Sequence, residues 1–291
     1  MANGETKNFW VTLMAIDRRV IFLAVAIAVS LPLFLNISQT IYVSPEVTDL
    51  YDSLEKLQSG SKVLISFDYD PPSAPELQPM AVTVIEYCFR NDLKMILMGL
   101  WPQGPQQANQ ALETVVGEPP GASFEFNGKT YVYGEDWVNL GFQEGREFII
   151  QRMGSSIAAA FPRDYAGTPV KELPLMRGVS NFNNIDYVFN LSAGTPGTVE
   201  WVQLAGDRFH ATIGAANTAV QAPMIYPYYR AGQLTGILGG MKGAAEFEAV
   251  VGVVGKGTKF MLSQSFAHAI VILFIVVGNI AFFASGRKRR F

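Results

Sequence analysis

The sequence predicts an α/β domain built on a doubly wound, mostly parallel sheet and flanked by two transmembrane helices. Three observations carry that reading. Strand-like and helix-like patterns alternate from Lys62 to Ile213, the order that builds parallel βαβ units. Two stretches, Val20–Val43 and Phe266–Ala284, carry no charge. The chain of 291 residues is also apolar throughout, 49% hydrophobic and 16% charged, with mean hydropathy +0.20.

Taken in order, residues 1–19 form an N-terminal segment in which Phe9–Ile16 reads as lying along the inner membrane surface. The first span is expected over 20–43, since a bilayer core needs about 20 largely apolar helical residues. No small-residue cleavage site follows its apolar centre, so it is expected to remain as a signal anchor. Ser44 and Pro45 then start a helix. Val47, Leu50, Tyr51, Leu54 and Leu57 recur at helical spacing until Ser59-Gly60. That helix is expected to link membrane to domain.

Lys62–Phe67 is a short run of strand formers. Ser73 and Glu76 match the S-x-x-E capping box, ahead of an apolar stripe from Leu77 to Phe89 that includes Cys88. Leu93–Trp101 is apolar enough for a strand buried on both faces, and the next helix ends near Val116. Ser123–Gly134 reads as a hairpin turning at Asn127-Gly128. A strand at Trp137–Leu140, a helix at Gly145–Ala160 and a Pro/Gly/Asn-rich loop over 161–183 follow. A strand at Ile185–Leu191, a short helix at Val199–Leu204 and a strand at Phe209–Ile213 complete five strands. This is the general Rossmann/flavodoxin-like pattern, an analogy of fold that carries no function. The glycine- and tyrosine-rich stretch 223–257 reads as membrane-proximal rather than core. A second span is expected over 263–285, and 286–291 is a basic tail.

Charge orients the chain. Lys7, Arg18 and Arg19 precede the first span, and Arg287, Lys288, Arg289 and Arg290 follow the second. Lys and Arg near a span stay in the cytoplasm, so both termini are expected there, at a bacterial or archaeal cytoplasmic membrane. The domain over 44–262 is then extracytoplasmic. Removing those seven cations and the acids Glu5 and Asp17 from totals of 22 and 25 leaves 15 cations against 23 acids. An acidic domain lacks the basic footprint of a nucleic-acid binder. With Cys88 as the single cysteine, no internal disulfide staples it, and its core must hold it unaided.

In open α/β sheets, ligands bind beyond the carboxyl ends of the strands. Asp68 and Asp70 leave the first strand, Trp101 and Gln103 the second, and Ser192, Asn217 and Thr218 later ones. Paired carboxylates suit a divalent cation, yet Asp-Tyr-Asp-Pro-Pro-Ser is also ordinary turn chemistry. Gly236–Glu248 has the glycines of a phosphate cradle near Lys242, but no P-loop or G-x-G-x-x-G order. No hydrolase elbow, zinc motif or cysteine–histidine signature is present, and no motif assigns a cofactor or metal. Tyr226, Tyr228, Tyr229 and Arg230 form an aromatic patch suited to an interface. Asn279, deep in the second span, suits a hydrogen bond to another helix.

These residues point first to a non-enzymatic structural or scaffold subunit of a membrane assembly, homo- or hetero-oligomeric. A ligand-binding or sensory domain, taking a small molecule in the crevice beside Asp68 and Asp70, comes second. A metal-assisted hydrolase is a distant third.

Overall fold

The computed structural model describes residues 9–34, 40–117 and 121–284. The chain divides into two units: Ile41–Thr258, and Met1–Thr40 together with Lys259–Phe291. Two helices open the second of these, α1 (Phe9–Met14) and α2 (Arg18–Phe34).

The first unit is the α/β domain. It runs α3 (Pro45–Glu55), β1 (Lys62–Asp68), α4 (Ala74–Arg90), β2 (Lys94–Gly99) and α5 (Gly104–Val116). The hairpin β3 (Ser123–Phe126) and β4 (Lys129–Val132) follows, then β5 (Trp137–Phe142), α6 (Phe148–Ser155) and α7 (Ile157–Ala160). After the 161–183 loop come β6 (Tyr187–Ser192), α8 (Thr198–Trp201), α9 (Asp207–Phe209) and β7 (Ile213–Asn217). The domain ends with α10 (Ala222–Arg230), β8 (Ile237–Gly239) and α11 (Gly240–Val251).

Six strands form one sheet in the order β5-β2-β1-β6-β7-β8, all parallel. Numbered among themselves they read 3-2-1-4-5-6, the Rossmann order, whose direction reverses between β1 and β6. Strand periodicity divides the core in two. Val63, Ile65 and Phe67 point to a layer containing α3, α4, α5 and α11. Leu64 points to the layer of α6, α7, α8 and α10. Successive side chains on a strand face opposite ways, so a sheet covered on both faces needs an apolar run with no polar alternation. β1, β2 and β6 supply such runs, and nearly all their side chains are buried.

The hairpin turns where expected, with Asn127 at φ 50° and Gly128 at φ 76°, the left-handed pair that a type I′ turn requires. Three expectations are corrected. The stretch 223–257 is core, not a membrane-proximal appendage: it contributes α10, the sixth strand β8, and α11, whose Ala244, Ala245 and Phe247 are buried. Its glycines permit close packing, since a Cβ on Gly243 would lie 2.8 Å from the Leu238 backbone. The α3 helix packs into the domain through buried Val47, Leu50 and Leu54. The strand expected at Phe209–Ile213 begins only at Ile213, because His210 adopts a left-handed φ of 57° that ends α9. The Ser73 capping box does not form: a 3-10 turn over Pro71–Ser73 precedes α4, and the Ser73 hydroxyl donates to Asp70 Oδ1 at 2.8 Å.

Helix α12 (Lys256–Ala284) is 29 residues long, with mean hydropathy 2.4 over its most apolar window. Among the described residues it is the one helix long and apolar enough to cross a membrane, where two were expected. The other candidate, α2, has 17 residues and rises about 26 Å, short of the ~30 Å hydrocarbon core. Residues 35–39 of that expected span lie outside the described residues.

Candidate functional site

The reversal between β1 and β6 is where a Rossmann-type sheet opens a crevice. Sheet register brings three of the expected residues into one row across adjacent strands: Asp68 pairs with Ser192, and Ser192 with Asn217. All three are buried. Asp68 therefore closes β1 inside the protein, not in an exposed turn.

Its carboxylate meets four donors. The Ser66 hydroxyl (2.7 Å) and the Leu100 amide (2.7 Å) donate to Oδ1. The Asn190 side-chain amide (2.6 Å) and the Trp201 indole (2.8 Å) donate to Oδ2. An ionised carboxylate has about four acceptor sites, so the group is fully engaged. Burial pushes the Asp68 carboxyl up to about 6, against the downward pull of Leu100, Ser66, Trp201 and Asn190. The network continues away from it: Thr198 Oγ1 donates to Asn190 Oδ1 (2.7 Å), and Asn217 Nδ2 donates to Thr198 Oγ1 (2.8 Å).

Local chain geometry covers this row. The loop after β6 folds onto it, with the Ser192 hydroxyl donating to Gly194 O at 3.1 Å. A Cβ on Gly197 would lie 2.0 Å from Ser192 Oγ, so only glycine fits there. Trp101 closes the other side, its indole donating to Pro196 O at 2.8 Å. Gly104 starts α5 so close to β1 that a Cβ would lie 2.1 Å from the Phe67 carbonyl oxygen.

The remaining expected residues stand apart. Asp70 receives the Ser73 hydroxyl in the turn, and Gln103 is an exposed residue at the start of α5. The Thr218 carbonyl accepts the amides of Gln221 and Ala222 in the first turn toward α10. In the tyrosine patch, Tyr226 donates to Glu46 (2.9 Å) and Tyr229 to Asp49, both on α3. Tyr228 is half-buried against the second core, and Arg230 is exposed. Asn279 lies in α12. In the glycine stretch, Lys242 pairs with Glu246 on its own helix, which engages the cation a phosphate cradle would need.

Sequence reading missed Ser66, Asn190, Thr198 and Trp201. A signal was present: Ser66 and Asp68, like Asn190 and Ser192, stand two apart at the ends of apolar strands, and so share a face. Glu248 was missed too. Fully buried, it accepts from the amides of Gly255, Gly257 and Thr258 and from the Thr258 hydroxyl.

A second feature lies at the outer edge of the sheet. Beside the edge strand β5 and helix α5 is a cavity of about 560 Å³, lined among others by Asn109, Glu113, Tyr133, Trp137, Asn139 and Tyr165. Among the described residues, no group of three or more His, Cys, Asp or Glu side chains is placed to hold a metal ion. No family model, curated protein or solved structure matches the chain, so its function is argued from its own residues.

Proposed function

We propose that this chain is a non-enzymatic structural subunit of a membrane assembly, anchored through α12 and presenting its α/β domain on the extracytoplasmic side. One observation carries the reading: the carboxylate at the fold's usual ligand position is spent on four internal donors. A catalytic or ligand-binding acid needs a free acceptor or a proton to exchange with its substrate. Asp68 instead ties β1, β2, β6 and α8 together. The basic tail Arg287–Arg290 supports a cytoplasmic C-terminus. In the same reading the apolar stretch beginning in α2 is the second anchor, and Asn279 bonds a helix of another subunit.

Native mass spectrometry of the protein extracted from its own membrane tests this. A homomer or a stable set of co-purifying subunits is the expected result. A lone chain carrying a non-lipid small molecule overturns it in favour of a ligand-binding domain.

A further inference from the structure

The cavity beside β5 combines aromatic walls with a single carboxylate. Its volume, about 560 Å³, falls within the usual range for small-molecule sites. Tyr133, Trp137 and Tyr165 supply the rings and Glu113 the acid; no Lys or Arg belongs to the lining. Trp137 is buried and meets Tyr133 edge to face, with centroids 4.7 Å apart, while Tyr165 is exposed. Glu113 is exposed on α5 and takes part in none of the ion pairs among the described residues.

The walls are held in place. Asn139 ties β5 to α5, donating to Pro105 O (3.1 Å) and Asn109 Oδ1 (2.9 Å), and its own Oδ1 accepts the Gly141 amide (3.0 Å). The Tyr165 amide donates to Asn139 O at 2.8 Å, which fixes this part of the 161–183 loop to β5. Tyr133 donates to Asp164 Oδ2 at 2.6 Å; burial and that carboxylate hold its phenol well above the ordinary value, so it stays a donor. Asp164 thus sets a negative charge at the hydroxyl end of the Tyr133 ring without entering the lining. A phenol that donates to a carboxylate is polarised toward a more electron-rich ring face. Arg163, beside Asp164 in the chain, donates to Gly167 O at 2.6 Å.

This lining selects by charge and by hydrogen-bond demand. Phosphates and carboxylates want cations, which the lining lacks, and Glu113 repels them. A divalent metal ion wants several oxygen ligands, more than one carboxylate supplies. A primary ammonium brings three N–H donors. The carboxamide oxygens of Asn109 and Asn139 are already engaged, which leaves Glu113 to answer all three. A quaternary ammonium carries no N–H. It asks for aromatic faces and a counter-charge, the combination present here. We infer that this cavity binds a small organic cation of the quaternary ammonium class, held by Tyr133 and Tyr165 with Glu113 as counter-charge. The inference does not rest on the subunit role proposed above.

The test uses the full chain in maltoside micelles free of amine lipids, in sodium phosphate at constant ionic strength. 5-Fluorotryptophan labelling gives signals for Trp10, Trp101, Trp137 and Trp201, the four tryptophans, with Trp137→Phe assigning the reporter. Choline is titrated against 3,3-dimethylbutan-1-ol, its uncharged isostere. The expected result is a saturable shift of the Trp137 signal with choline at a Kd in about the millimolar range. The alcohol binds at least about tenfold more weakly. Glu113→Gln weakens choline about threefold and Tyr165→Ala about tenfold, while the Trp101 and Trp201 signals, which report the fold, stay put in both. The proposal is overturned if choline leaves Trp137 unmoved at about 100 mM, far above such a Kd. It falls equally if the alcohol binds as tightly as choline, because the cavity then selects apolar bulk alone. Choline affinity undiminished by either substitution also overturns it.

Discussion

The two ends of interest in this sheet contrast sharply. At the reversal between β1 and β6, where the fold offers a crevice, every acceptor of Asp68 is filled and a glycine loop lies over the row. At the outer edge beside β5, where a Rossmann-type sheet offers nothing in particular, an open cavity of about 560 Å³ remains. Both places hold aromatic and carboxamide side chains beside a carboxylate. The difference lies in the carboxylate. Asp68 is met by four internal donors and holds strands together, although Asn217 Oδ1 in the same row has no partner among the described residues. Glu113, by contrast, lines an open cavity. The place a fold reserves for ligands is therefore only an opportunity. Side-chain bookkeeping decides whether it is used.

The contrast can be broken from the larger effect to the smaller. Asp68→Ala removes the acceptor of four buried donors at once. A loss of about 4 kcal/mol or more is expected, read as a lower guanidinium midpoint for the full chain followed by tryptophan fluorescence. A loss under about 1 kcal/mol would mean the row is not the clasp described. Next comes pH. Because the folded carboxyl is raised to about 6 from its ordinary 3.8, the native state holds the proton more tightly than the unfolded chain. The Asp68 contribution is thus fully present below about pH 4 and is lost as pH rises through about 6. It amounts to about 3 kcal/mol, measured as the stability difference between the protein and Asp68→Asn across that window. A flat difference would place the native carboxyl at its ordinary value. Gly104→Ala forces a Cβ against the Phe67 carbonyl and is expected to cost about 1–3 kcal/mol by the same denaturation assay. Asp70→Ala loses only the Ser73 hydroxyl bond, about 1 kcal/mol, which separates the turn aspartate from the clasp aspartate. Smallest of all, Tyr165→Ala should leave the melting curve within about 0.5 kcal/mol of the parent, since Tyr165 is exposed and belongs to neither core.

Much of the architecture was legible before any coordinates. The run Lys62–Phe67, the stripe from Leu77 to Phe89 and the Asn-Gly turn report local geometry, which a few neighbouring side chains dictate. Reading failed where context overrode local signals. The stretch 223–257 read as membrane-proximal rather than core, yet its glycines allow α11 to press against β8. The capping box at Ser73 lost to the 3-10 turn set by Pro71 and Pro72. At the site, the end of β1 was found closely, but Asp68 and Asp70 looked equivalent. They differ because Asp68 is the last residue of β1, inside the sheet, and Asp70 lies one residue beyond Tyr69 in the turn.

By itself, then, the sequence determined the α/β class, the parallel sheet and the apolar terminal helix. Each follows from periodicity and composition, which are properties of short windows. Only the tertiary structure decided that Asp68, at the centre of the sheet, is a clasp and that a cavity lies beside its edge strand β5. The partners of Asp68 lie as far as 122 and 133 positions along the chain. Strand order and register bring them together, and no local pattern encodes those contacts.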